Sequence, residues 1–201
     1  SLMRKAGAKD YKLYSKKIIS VCKKKPISFE VFADDNESMI EQGKKISSWS
    51  KNVYVKVPLV NSKNQFTGKV IKKLNKENIK LNITAVYSAE QTKRVLKNIN
   101  KKTKVIISIF AGRAADSGKD PVPEILNSIK LANKFKNVEI LWASVREPYN
   151  YIQAKQLGCH IITVPPAIIE KIENFGKKFS DLTLDTVKGF LTDSKKSKFI
   201  I

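Results

Sequence analysis

The sequence predicts an α/β fold, either an open doubly wound sheet or part of a (β/α)8 barrel. Three observations point there. Strand-like and helix-like pieces alternate at the spacing of βα units. The strand-like pieces carry apolar residues at alternate positions, with polar residues gathered near their carboxyl ends. No low-complexity linker interrupts the 201 residues, so one domain over residues 1–201 is expected.

Taken in order, Ser1 reads as a helix N-cap with no strand before it, so the chain is expected to open in the middle of a unit. A helix over residues 8–24 leads to a strand over 27–33, where Ile27, Phe29 and Val31 share one face and Glu30 the other. After a helix over 36–48, the strand 52–58 sets Val53, Val55 and Val57 against Tyr54 and Lys56 and stops at Pro58. A helix over 67–74 precedes the strand 81–86, with Asn82 and Thr84 opposite Leu81, Ile83 and Ala85. A helix over 89–99 follows. The strand 105–110 then places Ser108 and Phe110 against Val105, Ile107 and Ile109. A helix over 122–135 leads to the strand 138–145, at whose end Ser144 and Arg146 share parity. Helices over 149–157 and 167–175 flank a strand at 160–164, and a last helix near 184–191 precedes a lysine-rich tail.

The formal charge of +21 invites a nucleic-acid reading, because clustered cations neutralise phosphates. Yet only four of the 39 basic residues are arginine (Arg4, Arg94, Arg113, Arg146), and the lysines are spread along the whole chain. No nucleic-acid module is recognisable, so nucleic acid is not expected as a partner. No apolar run approaches a membrane span, and no signal peptide precedes the first helix. Cys22 and Cys159 lie far apart and form no metal-like spacing. A cytoplasmic protein with no membrane partner, no metal and no cofactor is the expectation.

Lys56 carries the chemistry. Valines packed on a covering layer leave it pointing into a lumen or cleft, near the carboxyl end of its strand. A lysine amine shielded from water is the nucleophile that Schiff-base formation with a carbonyl requires. A lysine half-exposed or salt-bridged to Glu30 on the neighbouring strand would give the same pattern. Asn82, Thr84, Ser108, Ser144 and Phe110 could each serve packing alone. Arg113, after Gly112 in an expected loop, and Arg146, directly after a strand, stand out in a lysine-dominated chain. Arginine offers the planar fork that phosphate accepts. Two such arginines on adjacent loops suggest a phosphate clamp, and a shielded lysine beside it suggests a sugar-phosphate aldolase.

The segments Ser28-Phe29-Glu30-Val31, Val55-Lys56-Val57-Pro58, Asn82-Ile83-Thr84, Ser108-Ile109-Phe110-Ala111-Gly112-Arg113 and Ala143-Ser144-Val145-Arg146 together resemble the transaldolase family, which includes the small fructose-6-phosphate aldolases. Their order and spacing agree across nearly the whole chain. The resemblance implies a (β/α)8 barrel of class I aldolase type. Lys56 would form a Schiff base with the C2 ketone of fructose 6-phosphate or sedoheptulose 7-phosphate, and a dihydroxyacetone unit would pass to an aldose phosphate. Glu30 and Thr84 would hold the water used in proton transfers. Asn82 and Ser108 would bind the dihydroxyacetone hydroxyls, with Ser144, Arg113 and Arg146 on the phosphate and Phe110 lining the pocket.

Glu30 and Phe110 resemble the transaldolase branch, since the fructose-6-phosphate aldolases typically carry Gln and Tyr there. A phenol can protonate the intermediate and free dihydroxyacetone, which Phe110 cannot do. The short length and C-terminal helix look more like the small subfamily, so a homo-oligomer is expected. Family members also begin with two further strands, one carrying an acid/base Asp and one ending in Thr-Thr-Asn-Pro. No Asp of this sequence takes that role by motif. The chain is therefore expected to be a barrel without its first two strands, aggregation-prone and without transfer activity on its own. The alternatives are cleavage without an acceptor, and an inactive barrel kept as a binding or assembly subunit.

Overall fold

Six parallel strands, each followed by helix, make up the computed structural model, which describes residues 6–197. In chain order the elements are α1 (Tyr11–Cys22), β1 (Ile27–Glu30), α2 (Asn36–Ser47), β2 (Val53–Pro58), α3 (Gly68–Lys76), β3 (Leu81–Val86) and α4 (Ala89–Leu96). Then come β4 (Val105–Phe110), α5 (Ala111–Asp116), α6 (Val122–Ala132), β5 (Val138–Ala143), α7 (Tyr149–Gln156), β6 (Ile161–Ile162), α8 (Pro166–Glu173) and α9 (Phe179–Ser197). Ser1, read as a helix N-cap, lies outside the described residues.

The strands pair in sequence order, β1 to β6, as consecutive βα units require, and the sheet curls into a half-barrel. A strand order that never reverses excludes the doubly wound alternative, which needs a switch point. The curl brings Asn82 of β3 within hydrogen-bond reach of Ser28 on β1, across the intervening β2 (3.0 Å, Nδ2 to Oγ).

The two faces separate as the alternation predicts. On the helix-covered face, Val55, Val57, Leu81, Ile83, Ile107 and Ile140 are fully buried. The helix α3 buries Val70, Ile71 and Leu74 on one stripe, and losing a side chain such as Leu74 costs about 2–5 kcal/mol. Helix α2 comes so close that a Cβ on Gly43 would lie 2.7 Å from Leu74. On the inner face Tyr54, Ile106, Leu141 and Ala143 form a second buried cluster, with Phe110 and Ile161 packed on it. Burial raises the Tyr54 phenol above its ordinary range, and the Glu139 carboxylate adds to the effect.

Helix starts follow local chemistry. Asp35 accepts from the Ser38 amide, and Ser88 with Gln91 forms a reciprocal capping box at the head of α4. Element bounds match the sequence reading at β3 and β4 and differ by a few residues elsewhere. Two differences are larger. The expected helix 184–191 extends over the 19 residues of α9, and the expected loop around Arg113 is the short helix α5.

The chain divides into two compact units, Ser1–Val164 and Pro165–Ile201. The first contains the sheet; the second contains α8 and α9. Phe179, Leu184, Val187 and Phe190 of α9 are exposed. No helix among the described residues is long and apolar enough to cross a membrane.

Candidate active site

Parallel pairing fixes which side chains share a level. Glu30 is in register with Lys56, Lys56 with Asn82, and Pro58 with Thr84. Glu30, Lys56 and Asn82 therefore sit side by side on the inner face, on three consecutive strands near their carboxyl ends. Asn82 is buried and bonded on both sides, donating to Ser28 and accepting from Ser108 Oγ at 2.7 Å. This Ser28–Asn82–Ser108 relay fixes the amide in one orientation. Lys56 is half-buried, and its ammonium has no hydrogen bond or ion pair among the described residues. The alternative of a structural Glu30–Lys56 ion pair is not what the structure contains, because five ion pairs join described residues and this is not one of them. The Glu30 carboxylate is exposed, while its backbone N–H and C=O are both met by the Tyr11 hydroxyl (3.0 and 3.2 Å).

Thr84 is buried beside an irregularity. Between Ile83 and Val86 the β3–β4 register slips, and Ala85 adopts φ +58°. Bulges of this kind occur beside active sites, where they re-aim a side chain. Phe110 ends β4 half-buried, 5.9 Å from the Tyr87 ring, with the Arg113 guanidinium 5.3 Å from its centre.

The ends of β4 and β5 are joined by close backbone contact. A Cβ on Gly112 would fall 1.7 Å from the Ser144 carbonyl oxygen and 2.9 Å from Arg146 Cγ, so only glycine fits. Ser144 itself adopts φ +67°, a left-handed conformation uncommon for a side-chain-bearing residue. Beyond it, the Asn150 side chain accepts the Arg146 amide at 3.0 Å. The Arg146 guanidinium forks onto Asp116, with Nε 3.1 and 3.0 Å from the two carboxylate oxygens and Nη2 2.6 Å from one of them. That hydrogen bonding holds the Asp116 carboxyl below its ordinary range, with the charges of Arg146 and Arg113 adding to it.

The first unit thus brings Glu30, Lys56, Asn82, Thr84 and Ser108 onto one face, and gathers Phe110, Arg113, Ser144 and Arg146 at the adjoining ends of β4 and β5. Asp116, Ser28 and Tyr87 were missed in the sequence. Asp116 had a signal, lying three residues after Arg113; Ser28 stood in the segment Ser28–Val31 that carries the resemblance, and Tyr87, just past the end of β3, had none.

A cavity of about 720 Å³ opens elsewhere, at the amino-terminal end of the strands. Six of its twelve lining residues are lysine (Lys23, Lys24, Lys51, Lys80, Lys102, Lys104). Lys80 is already engaged, donating to the Lys51 carbonyl at 2.6 Å and lying over the Tyr54 ring. Glu30, Lys56 and Asn82 lie at the opposite end, near the carboxyl ends of their strands, where barrels of this kind build their sites.

The first unit is thus a parallel half-barrel with an inward lysine near the carboxyl end of β2 and an arginine beyond each of β4 and β5. The family described as transaldolase/fructose-6-phosphate aldolase matches residues 3–200. The chain is 33% identical over 177 residues to a protein of Nitrosopumilus maritimus named a probable transaldolase, covering 86% of this chain and 72% of that one. A probable transaldolase of Thermoplasma volcanium is 31% identical over 201 residues, covering 97% and 83%. One from Thermoanaerobacter sp. is 33% identical over 145 residues, and the match spans 63% of its length. This chain belongs to the transaldolase/fructose-6-phosphate aldolase family.

Proposed function

We propose that the protein takes part in transaldolase-type transfer of a dihydroxyacetone unit between sugar phosphates, through a Schiff base on Lys56. The observation that carries this is the register Glu30–Lys56–Asn82, which sets an unpaired lysine between a carboxylate and an oriented amide on one inner face. The Lys56 amine attacks the C2 ketone of fructose 6-phosphate or sedoheptulose 7-phosphate, and the carbinolamine loses water to form the Schiff base. The C4 hydroxyl gives its proton to the water held by Glu30 and Thr84, the C3–C4 bond breaks, the aldose phosphate leaves, and the electron pair stays on lysine-bound dihydroxyacetone as an enamine. Attack of the enamine on an acceptor aldehyde and hydrolysis complete the transfer.

In this reading Glu30 and Thr84 hold the water used in proton transfer, and Asn82 and Ser108 bind the dihydroxyacetone hydroxyls. Ser144, Arg113 and Arg146 take the phosphate, and Phe110 lines the pocket without supplying a proton. The step needs no cofactor. The reading extends to a single barrel-type domain that acts in the pentose phosphate pathway and self-associates; the exposed apolar side chains of α9 are consistent with self-association.

The test is covalent trapping. Incubation with fructose 6-phosphate and borohydride should leave a stable adduct that peptide mass spectrometry maps to Lys56, and Lys56→Ala should abolish it. An adduct on any other lysine sinks the assignment.

A further inference from the structure

The arginine pair proposed for phosphate is not free-standing, because a carboxylate with no role in the proposed chemistry is built into it. Asp116 closes α5, three residues after Arg113, and takes the guanidinium of Arg146 from beyond the next strand. We propose that Asp116 is a positioning residue for the phosphate clamp, holding one edge of Arg146 so that its remaining N–H groups are aimed at an incoming sugar phosphate. This rests on the reading of Arg146 as a phosphate ligand.

The donor inventory supports the assignment. A guanidinium has five N–H donors, and Asp116 occupies the Nε–H and one on Nη2. The Nη1 pair and the second Nη2 hydrogen face away from the carboxylate. Those donors suffice for a two-point contact with phosphate. Without the hold, a long, half-exposed side chain would lose rotamer freedom when the ligand binds.

A role in stability alone fits the arrangement less well, because an exposed ion pair contributes little to folding. Competition with phosphate for Arg146 fits less well too. Asp116 does offset part of the charge of Arg113 and Arg146, yet solvent screens that repulsion at an exposed position. Orientation therefore outweighs repulsion, and Asp116 should tighten phosphate binding rather than weaken it. The surroundings fit a set geometry: Gly112 lies against the Ser144 carbonyl, Ser144 is held left-handed, and Asn150 fixes the Arg146 backbone.

The experiment is a double-mutant cycle read by calorimetry with fructose 6-phosphate, with fructose as the unphosphorylated comparator. Asp116→Ala and Asp116→Asn should each weaken fructose 6-phosphate binding roughly two- to tenfold. Fructose binding and the melting temperature should not change. In the Arg146→Ala background the Asp116 substitutions should have no further effect. If Arg146→Ala weakens binding while Asp116→Ala leaves it unchanged or tightens it, the positioning role is overturned and the clamp reading stands. An Asp116 effect that persists without Arg146 also overturns it. If Arg146→Ala itself leaves fructose 6-phosphate binding unchanged, the clamp reading falls and the positioning role with it.

Discussion

The two ends of the sheet are built from the same strands but carry different sets of side chains. At the amino-terminal end, asparagines tie successive connections together. Asn137 donates to the Asn100 and Thr103 carbonyls (2.9 and 2.6 Å), and Asn100 in turn bonds Asn75. Asn52 likewise donates to the Lys23 and Lys25 carbonyls. These side chains serve the backbone. The carboxyl-terminal end also has side chains bonded to backbone, from Gln42, Thr67 and Asn150, and adds features of another kind. A register slips beside Thr84, Ala85 and Ser144 are left-handed (as Lys23 and Asn78 are at the other end), and Lys56 has no partner among the described residues. The asparagine ties between connections thus lie at one end, and the inward lysine, the register slip and the Asp116–Arg146 pair lie at the other.

The contrast can be broken most sharply at Lys56. Lys56→Ala should eliminate borohydride trapping completely while leaving the melting temperature within about a degree or two of the parent, since a half-buried group with no partner contributes little to folding. Simultaneous collapse of stability would show that the lysine belongs to the core. Next in size, Gly112→Ala forces a Cβ into the Ser144 carbonyl. It should cost fructose 6-phosphate binding at least as much as the loss of Arg146, because it displaces Ser144 and Arg146 together. A titration showing normal affinity would mean that the close approach is incidental.

Arg113→Ala and Arg146→Ala should each weaken binding of phosphorylated donors about ten- to a hundredfold, the value of a charge-assisted contact, and spare unphosphorylated ones. Equal losses on both kinds of donor would remove the phosphate role. At the opposite end, Asn137→Ala should do the converse. It orphans two carbonyls and should destabilise by roughly 1–3 kcal/mol in urea unfolding, with adduct formation on Lys56 unchanged. A catalytic defect in that variant would erase the division between the ends.

The smallest expected effect is in acid. Asp34 accepts bonds from the Ser62 hydroxyl and amide, and Asp116 from Arg146, and both carboxyls are lowered by those bonds from an ordinary 3.8. Groups depressed in the folded state stabilise it above the unfolded value and lose that contribution as pH falls through the folded one. Carboxyl NMR titration should therefore place both midpoints below 3.8, and the Arg146 pairing should persist down to that range. A midpoint for Asp116 at its ordinary value would mean that the fork is not maintained in solution.

Strand parity alone was enough to put Glu30, Lys56, Asn82, Thr84 and Ser108 on one face, because side-chain direction in a strand alternates with period two whatever the neighbours do. The same alternation located the face buried under the helices, and the limits read for β3 and β4 agree with the structure. The choice between a curled half-barrel and a doubly wound sheet was not in the pattern, since both use the same βα unit; strand order decided it. Nor could local sequence show that Ser28 would bond Asn82, 54 residues away and across another strand, because that contact exists only once the sheet curls. The helical turn at Ala111–Asp116 was hidden for a similar reason: Gly112 reads as a loop signal until Ser144 is packed against it. Sequence determined which groups face inward. Tertiary structure decided which of them meet, and that a carboxylate holds the arginine, because those facts depend on distances between strands and not on periods within them.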